Sequence, residues 1–292
     1  MSLFENKEML HMTVKCIALD LDGTTLINDR STTDKNIQAI TRVANKGVHI
    51  VVASGRCFYS LPDFLKQLGC IEYAITSNGA AVYDYINNDC IMKSTLPYSA
   101  VEKIFELTKN INVTYEAFID GKGFAPAEYI ADPAAFGVAQ GYVDYIRKTR
   151  ASTDDFKGLL YNNKHNIDSF DVIFSDKTLF KTSLEILKNV VSGVYFTSSG
   201  SDRIEISSEK AGKHNGLKYV LERIGISPDE TAAFGDADND IDMLTYVKYG
   251  FAVANASESC LKSAPIVVAK NTQSGVAMGI EKLENNGLIC GN

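Results

Sequence analysis

Short apolar runs alternate with helix-period segments along the first part of the chain. The apolar run 15–19 ends at Asp20, the run 48–53 ends at Ser54, and the segment 34–47 between them has apolar residues at helical spacing. Near-continuous apolar runs are typical of strands buried on both faces, whereas a recurrence every three to four residues indicates an amphipathic helix. The alternation predicts βαβ units with a parallel sheet.

The pattern changes after a further predicted helix at 58–69 and strand at 73–76, and the strand–helix rhythm returns only at Lys213. Between these points we predict hairpins over 81–96 and around 120–123, helices over 99–109 and 179–191, a helical or irregular stretch over 127–150, and strands at 171–175, 194–198 and 203–206. From Lys213 onward we predict helices over 213–224, 239–247, 257–263 and from 273, with strands at 231–234, 250–254 and 266–269.

The predicted fold class is therefore α/β. A Rossmann-like, doubly wound parallel-sheet core is interrupted by an α+β insertion large enough to form a domain. The expected boundaries assign residues 1–83 and 207–292 to the core domain and residues 84–206 to the inserted domain.

Composition and charge narrow the function classes. The 292 residues carry a formal net charge of −7, which argues against nonspecific nucleic-acid binding because that depends on basic surfaces. No apolar run reaches the length of a membrane span, and the first residues lack the layout of a secretory signal. The six cysteines contain no CxxC pair, as expected for reduced thiols. We expect a cytoplasmic protein with no nucleic-acid or membrane partner and make no prediction of its oligomeric state.

Two carboxylates follow the first predicted strand, in Asp20-Leu-Asp22-Gly-Thr. The carboxyl edge of a parallel sheet is where open α/β folds bind ligands. Two ionised carboxylates at such an edge would repel each other and lose solvation, so a bound cation is favoured, and Mg²⁺ prefers oxygen ligands. The alternative is a strand end followed by a turn, in which Asp20 caps a backbone amide and Gly23 adopts a positive φ.

A second acidic cluster, Gly235-Asp236-Ala-Asp-Asn239-Asp240-Ile-Asp, follows the strand predicted at 231–234. A calcium loop is disfavoured because its sixth and twelfth positions would be Ile241 and Val247 instead of Gly and Glu. A helix start explains acids in the first turn but not Asp236, which stands at the strand edge. Asp236 is thus expected beside Asp20 and Asp22, with Asp240 acting as a cap or an outer acid.

These residues resemble four motifs of the haloacid dehalogenase-like hydrolases, in particular their Cof-type phosphatases, in the family's order. The matching segments are Asp20-Leu-Asp22-Gly-Thr, Ser54-Gly-Arg56, Lys213, and Gly235-Asp236-Ala-Asp-Asn239-Asp240. Ser77-Asn78-Gly79-Ala80 is similar to a segment of the Cof group, and the insertion matches the position of its α/β cap domain. The chain departs from the family where Lys213 is followed by His214 instead of Gly, and Lys210 is a competing candidate.

The resemblance implies a Mg²⁺-dependent phosphatase that forms an aspartyl-phosphate. Its expected catalytic residues are Asp20 as nucleophile, Asp22 as acid and base, Ser54 and Lys213. Its expected metal residues are Asp20, Asp22 through its carbonyl oxygen, Asp236 and Asp240. Its expected substrate-binding residues are Gly55, Arg56, Asn78 and Asn239, although Arg56 could equally pair with a carboxylate.

The expected substrates are small phosphorylated metabolites, with sugar phosphates the class that the resemblance favours. Two alternatives stay open: a phosphomutase that uses the same phospho-aspartate, and a non-catalytic sensor of phosphorylated metabolites. Retention of both Asp20 and Asp22 disfavours the sensor. The basic residues of the insertion, such as Arg147 and Arg150, are expected at the surface, so none is assigned to the site.

Overall fold

The computed structural model describes residues 13–28, 30–198 and 202–289. Within them the strands form two sheets, one of eight strands and one of six. No helix in the described ranges is long and apolar enough to span a bilayer. The five cysteines of these ranges are free thiols, and Cys290 lies outside them.

The larger sheet has the strand order β14-β13-β12-β1-β2-β3-β4-β5. The first six of these are parallel, and β4 and β5 extend the sheet as an antiparallel hairpin. Its strands are β1 (Cys16–Asp20), β2 (His49–Ala53), β3 (Ile71–Thr76), β4 (Ala81–Asp84), β5 (Asp89–Lys93), β12 (Thr231–Gly235), β13 (Tyr249–Val253) and β14 (Ile266–Val268).

Helices cover both faces of this sheet because its strands are apolar on both sides. In β1, Ile17 and Leu19 pack against one layer of helices, whereas Cys16 and Ala18 face the other. The first layer contains α1 (Asp34–Ala44), α2 (Phe64–Leu68) and α11 (Gly275–Asn285), and the second contains α8 (Lys213–Ile224), α9 (Ile241–Tyr246) and α10 (Glu258–Ser263). This three-layer arrangement is the predicted doubly wound, Rossmann-like core.

The smaller sheet has the strand order β10-β11-β9-β6-β7-β8 and is antiparallel except between β7 and β8. Its strands are β6 (Val113–Ile119), β7 (Lys122–Pro126), β8 (Arg150–Thr153), β9 (Ile167–Phe174), β10 (Val194–Thr197) and β11 (Arg203–Ser208). One face packs on α3 (Tyr98–Thr108), α6 (Phe156–Asn162) and α7 (Phe180–Val190). The other face contacts α4 (Ala127–Ala131) and α5 (Gln140–Thr149).

The sheet pairing bears on where the inserted domain begins and ends. Residues 89–93 belong to the larger sheet, although the predicted boundary at residues 83 and 84 would assign them to the insertion. Strand β11 continues to Ser208, beyond the predicted boundary at residue 206. We therefore propose domain boundaries after Lys93 and Ser208, and we call residues 94–208 the cap.

Several predicted elements differ from those in the structure. The helix predicted over 58–69 is a 3-10 turn (Phe58–Ser60) followed by the short α2, because Pro62 forces Leu61 into an extended conformation. Strand β9 begins at Ile167, four residues before the predicted strand. Strand β8 and helix α6 were not predicted, since the polar run before Phe156 obscures their periodicity.

Candidate active site

The candidate active site lies at the carboxyl ends of three neighbouring strands. Strand β1 lies between β12 and β2, and all three run parallel. Asp20 ends β1, Ser54 follows β2, and Asp236 follows β12. Residues separated by more than two hundred positions therefore meet at one edge of the sheet.

The turn Leu21–Thr25 after β1 packs against the loop after β12. Gly23 has φ +81°, and a Cβ added there would overlap the Asp236 carboxylate. Thr24 Oγ1 donates a hydrogen bond of 2.7 Å to Asp236 Oδ1. A glycine at this position permits both the left-handed backbone and the close approach of Asp236.

A buried lysine joins two carboxylates beneath this turn. Lys213 Nζ lies 2.6 Å from Asp20 Oδ1 and 2.7 Å from Asp240 Oδ1. Asp240 Oδ2 also accepts hydrogen bonds from the backbone N–H groups of Asp236 and Ala237. Asp240 therefore holds the loop after β12 as well as the lysine. Lys210, the competing candidate, is exposed.

The carboxylates carry more negative charge than Lys213 neutralises. Burial raises the pKa of Asp20 well above its usual range, and Asp240 adds to the rise while Lys213 opposes it. Burial and the charge of Asp240 raise the pKa of Asp236 to about 6. Burial lowers the pKa of Lys213, but Asp20 and Asp240 outweigh it and the net shift is upward.

The chemistry of this cluster fits a divalent cation. Asp20, Asp236 and Asp240 each place a carboxylate oxygen within 4.8 Å of the others. Asp20 Oδ2 is buried and has no hydrogen-bond partner among the described residues. A buried carboxylate oxygen without a donor is costly, and hard oxygen ligands of this kind suit Mg²⁺.

Asp22 is held by the loop that follows β2. Arg56 Nε and Nη2 donate to the two oxygens of Asp22 at 2.8 and 2.6 Å, in a bidentate pair. The backbone N–H of Arg56 donates to Ser54 Oγ at 3.1 Å. The Asp22 side chain is half exposed, whereas that of Arg56 is buried. Of the two alternatives for Arg56, the structure shows pairing with a carboxylate.

Asn78 links the core domain to the cap. It adopts a left-handed conformation (φ 54°) in the loop after β3. Asn239 Nδ2 donates to Asn78 Oδ1 at 3.0 Å, and Asn78 Nδ2 donates to Glu205 Oε2 of the cap at 2.8 Å. A core amide and a cap carboxylate are thus joined at the edge of the site.

A cavity of about 600 Å³ separates the acidic cluster from the cap. Asp20, Asp22, Gly55 and Lys213 line its core side. Its cap side is lined by aromatic and charged side chains, which include Phe118, Tyr142, Tyr145, Arg150, Asp171, Arg203 and Glu205. The volume is in the range of small-molecule sites.

The structure brings most predicted site residues together and adds cap residues that were not predicted. Of the predicted residues, Ser54 and Asn78 contact other site residues, and the rest line the cavity: Asp20, Asp22, Gly55, Arg56, Lys213, Asp236, Asn239 and Asp240. Arg150 was expected at the surface but is buried against Glu116. Two of these cap residues could have been predicted from the alternation Arg203-Ile-Glu205-Ile, because it places two charged side chains on the same face of a strand.

The fold and the site define a doubly wound α/β protein in which a buried centre of carboxylates and a lysine faces a cap. The chain matches the family model described as haloacid dehalogenase-like hydrolase over residues 17–280. It therefore belongs to this family, which confirms the resemblance seen in its motifs.

Relatives of the chain are phosphatases. Phosphatase YwpJ of Bacillus subtilis (strain 168) is 28% identical over 284 residues, which cover 90% of this chain and 98% of the relative. The 5-amino-6-(5-phospho-D-ribitylamino)uracil phosphatase YcsE of the same organism is 24% identical over 267 residues, which cover 91% of this chain and 94% of the relative. With the family membership, these relatives support classification of the chain as a phosphatase.

Solved structures share the fold. A haloacid dehalogenase-like hydrolase from B. subtilis aligns with a TM-score of 0.80 at 25% identity, covering 92% of this chain and 99% of its own. A sugar phosphatase of haloacid dehalogenase subclass IIB aligns with a TM-score of 0.78 at 19% identity, and the alignment covers 94% of this chain and 100% of that structure's chain. Both alignments include the core domain and the cap.

Proposed function

We propose that the protein is a Mg²⁺-dependent phosphatase that hydrolyses small phosphorylated metabolites, with sugar phosphates the expected class, through an aspartyl-phosphate on Asp20. The observation that carries this proposal is the environment of Asp20. One of its oxygens is held by Lys213, and the other is buried, has no hydrogen-bond partner among the described residues and belongs to a side chain that lines the cavity. Such a carboxylate is held in place at one oxygen and leaves the other oxygen available for reaction.

In the first step the Asp20 carboxylate attacks the phosphorus atom of the ester. The P–O bond to the leaving group breaks as the carboxylate–phosphorus bond forms, and Asp22 transfers a proton to the leaving oxygen. Lys213 holds the nucleophile by an ion pair, so little reorientation is needed before attack. Arg56 positions Asp22 through its bidentate contact, and this contact has to weaken when Asp22 carries the proton, because a guanidinium favours the ionised carboxylate.

In the second step a water molecule attacks the aspartyl-phosphate. Asp22, now ionised, accepts the proton of that water, and the phosphorus–carboxylate bond breaks to release inorganic phosphate and regenerate Asp20. Splitting the displacement in two lets one acid serve both as proton donor and as proton acceptor. Enclosure between the core domain and the cap limits access of bulk water to the site.

We assign Mg²⁺ to Asp20, the backbone carbonyl of Asp22 and Asp236. When bound, the ion supplies positive charge that offsets repulsion between the carboxylate and the incoming phosphate. Both oxygens of Asp240 are used by Lys213 and two backbone N–H groups, so we assign Asp240 to positioning and not to ligation. Ser54 and Asn78 remain candidates for contacts with the phosphate or the substrate.

The test is phosphate release from a panel of sugar phosphates, nucleotides and p-nitrophenyl phosphate, with Mg²⁺ or EDTA, by the wild type and Asp20→Asn. We expect release that requires Mg²⁺ and falls to background in Asp20→Asn, because an amide is a poor nucleophile. A circular dichroism spectrum like that of the wild type would show that Asp20→Asn still folds. Undiminished release by Asp20→Asn would overturn the proposed mechanism.

A matched variant, Asp22→Asn, separates the nucleophile from the acid. Its kcat/KM, which reports the steps up to departure of the leaving group, should fall much more with a sugar phosphate than with p-nitrophenyl phosphate, because p-nitrophenolate leaves without a proton. Equal losses on the two substrates would contradict the role of Asp22 as the general acid.

A further inference from the structure

Three acidic side chains lie side by side on the cap sheet. Glu116 on β6 is the register partner of Asp171 on β9, and Asp171 is the register partner of Glu205 on β11. Register partners point to the same face of a sheet, so the three carboxylates form one row, which we call the acidic row. Asp171 and Glu205 line the cavity that also contains Asp20.

Glu116 already has enough partners to satisfy its charge. Arg150 donates two hydrogen bonds to Glu116 Oε2 at 2.9 and 2.8 Å, and the Tyr129 hydroxyl donates to Oε1 at 3.1 Å. Burial raises the pKa of Glu116, but Arg150 and Arg203 outweigh it and the net shift is downward. At this end of the acidic row, the carboxylate is therefore fully paired with side chains of the protein.

Asp171 differs from Glu116 in having no hydrogen-bond donor among the described residues. Its side chain is only 4% exposed, and its nearest cation, Arg203 Nη1, lies 3.8 Å away, beyond hydrogen-bond distance. Burial raises the pKa of Asp171 well above its usual range, and the charge of Glu205 adds to the rise. A buried polar group that lines a cavity and has no protein partner is satisfied by water or by a ligand, and a ligand that enters the cavity replaces the water.

The cations of the cap side of the cavity already face carboxylates. Arg150 is paired with Glu116, Arg203 lies 3.8 Å from both Glu116 and Asp171, and Lys177 lies 3.7 Å from Asp202. Among the described residues, the cap side of the cavity therefore has no excess positive charge that could bind a second anionic group of a ligand. Its aromatic side chains, Phe118, Tyr142 and Tyr145, instead offer apolar surface to the carbon atoms of a ligand.

We propose that Asp171 and Glu205 bind hydroxyl groups of the leaving group, so that the enzyme selects phosphate monoesters of uncharged polyols and discriminates against a second anion. This inference rests on the proposed phosphatase function and assigns the part of the substrate that the cap recognises. Carboxyl groups accept or share hydrogen bonds with hydroxyls, which both donate and accept. A phosphate or carboxylate has no proton to donate to Asp171 and Glu205, and it is repelled by whichever of the two is ionised.

The same placement favours hydrolysis over phosphate transfer between two positions of a sugar. A phosphomutase has to hold a bisphosphate in two orientations, so the wall opposite the nucleophile must accept a phosphate. Asp171 and Glu205 make this wall unsuited to that group. The phosphomutase alternative left open by the sequence is therefore disfavoured.

The test compares substrates that share one reacting phosphate. Sorbitol 6-phosphate and 6-phosphogluconate differ at the far end of the chain, where the second carries a carboxylate. We expect wild-type kcat/KM to favour sorbitol 6-phosphate about tenfold or more, the size of effect of one unfavourable buried polar contact. An equal or reversed preference would overturn the inference without any variant.

Substitution of Asp171 gives a second measurement. In Asp171→Leu, the ratio of kcat/KM for sorbitol 6-phosphate to that for p-nitrophenyl phosphate, which lacks hydroxyl groups, should fall about tenfold. Asp171→Asn keeps a hydrogen-bonding group of the same shape and should restore most of the ratio. Glu102→Gln, which removes an exposed acid of the cap helix α3, is the charge control and should leave the ratio unchanged.

The outcomes separate this inference from the proposed function. Hydrolysis of p-nitrophenyl phosphate with a ratio that Asp171→Leu leaves unchanged would refute the role of Asp171 alone. If no ester were hydrolysed, the proposed function would fail. Calorimetric binding of sorbitol 6-phosphate and 6-phosphogluconate to the wild type would then decide the inference by itself, with preferred binding of the polyol ester supporting it and the reverse refuting it.

Discussion

Lys213 shows how one residue stabilises the site. Its ammonium lies between Asp20 and Asp240, and all three side chains are almost fully buried. Breaking a buried ion pair is costly because the partner charges remain without compensation. A general estimate for such a loss is about 3 to 5 kcal/mol. The lysine thus stabilises the fold and also holds the proposed nucleophile.

We predict that Lys213→Met lowers the free energy of unfolding by about 3 kcal/mol or more, measured by urea denaturation in EDTA. Lys210→Met is the matched control, since Lys210 lies three residues earlier, is exposed and should change stability by no more than about 0.5 kcal/mol. Similar losses for the two variants would contradict the assigned role of Lys213.

The sequence predicted which residues form the site better than it predicted which of them pair with each other. The motifs named Asp20, Asp22, Ser54, Lys213 and Asp236, and the structure gathers them at one sheet edge. The pairing of Arg56 with Asp22 was left undecided because it depends on how two loops approach each other. The burial of Arg150 was missed because its partner Glu116 lies 34 positions away.

At the scale of elements, the turn Leu21–Thr25 connects the first strand with the second acidic loop. Its backbone is left-handed at Gly23, and Asn255 Nδ2 donates to the Gly23 carbonyl at 2.8 Å. Thr25 Oγ1 donates to the Asp20 carbonyl at 2.5 Å. These contacts hold Asp22 and Asp236 near Asp20 without a regular helix or strand.

We predict that Gly23→Ala destabilises the protein and weakens Mg²⁺ binding, because its Cβ would overlap the Asp236 carboxylate. The control is Gly225→Ala at the end of α8, which shares a positive φ but has open space around the added Cβ. Left-handed backbone alone costs about 1 to 2 kcal/mol, so both variants should lose this amount.

Only Gly23→Ala should lose further stability and raise the Kd for Mg²⁺, measured by thermal denaturation and calorimetric titration. Equal stability losses with unchanged Mg²⁺ affinity would show that the turn does not position Asp236.

At the scale of the whole molecule, the core domain supplies the charged centre and the cap encloses it. Arg56 of the core lies over the ring of Tyr145 of the cap at 4.7 Å from its centroid, and Asn78 donates to Glu205. Ligands that bind between the domains therefore stabilise the entire folded chain by mass action.

We predict that Mg²⁺ raises the melting temperature of the wild type by several degrees relative to EDTA. A ligand at a hundred times its Kd stabilises by about 2.7 kcal/mol, and a protein of this size gains roughly 2 to 4 °C per kcal/mol. Asp236→Asn should abolish the shift, and in EDTA it should melt at or above the wild-type temperature because a partly buried charge close to Asp240 is removed.

Asp238→Asn is the control for this experiment. Asp238 is an exposed acid two positions along the chain, so its variant should keep the full Mg²⁺ shift. A shift that persists in Asp236→Asn and disappears in Asp238→Asn would place the ion elsewhere.

The sequence alone determined the order of strands and helices in the core, the carboxylates at the strand ends and the existence of an insertion. These features are local, since a buried strand, an amphipathic helix or a glycine turn is specified by residues within a few positions of one another. For the same reason Pro62, whose effect is also local, could have corrected the helix predicted over 58–69.

Only the tertiary structure decided which charges meet. The alignment of Glu116, Asp171 and Glu205 depends on the register of three strands separated by long segments, and a shift of one residue would turn each side chain to the opposite face. The cavity exists because the core domain and the cap approach each other. Pairing between residues so far apart in the sequence is decided by the packing of the whole chain. Packing buries these charges, and a buried charge without a partner is costly.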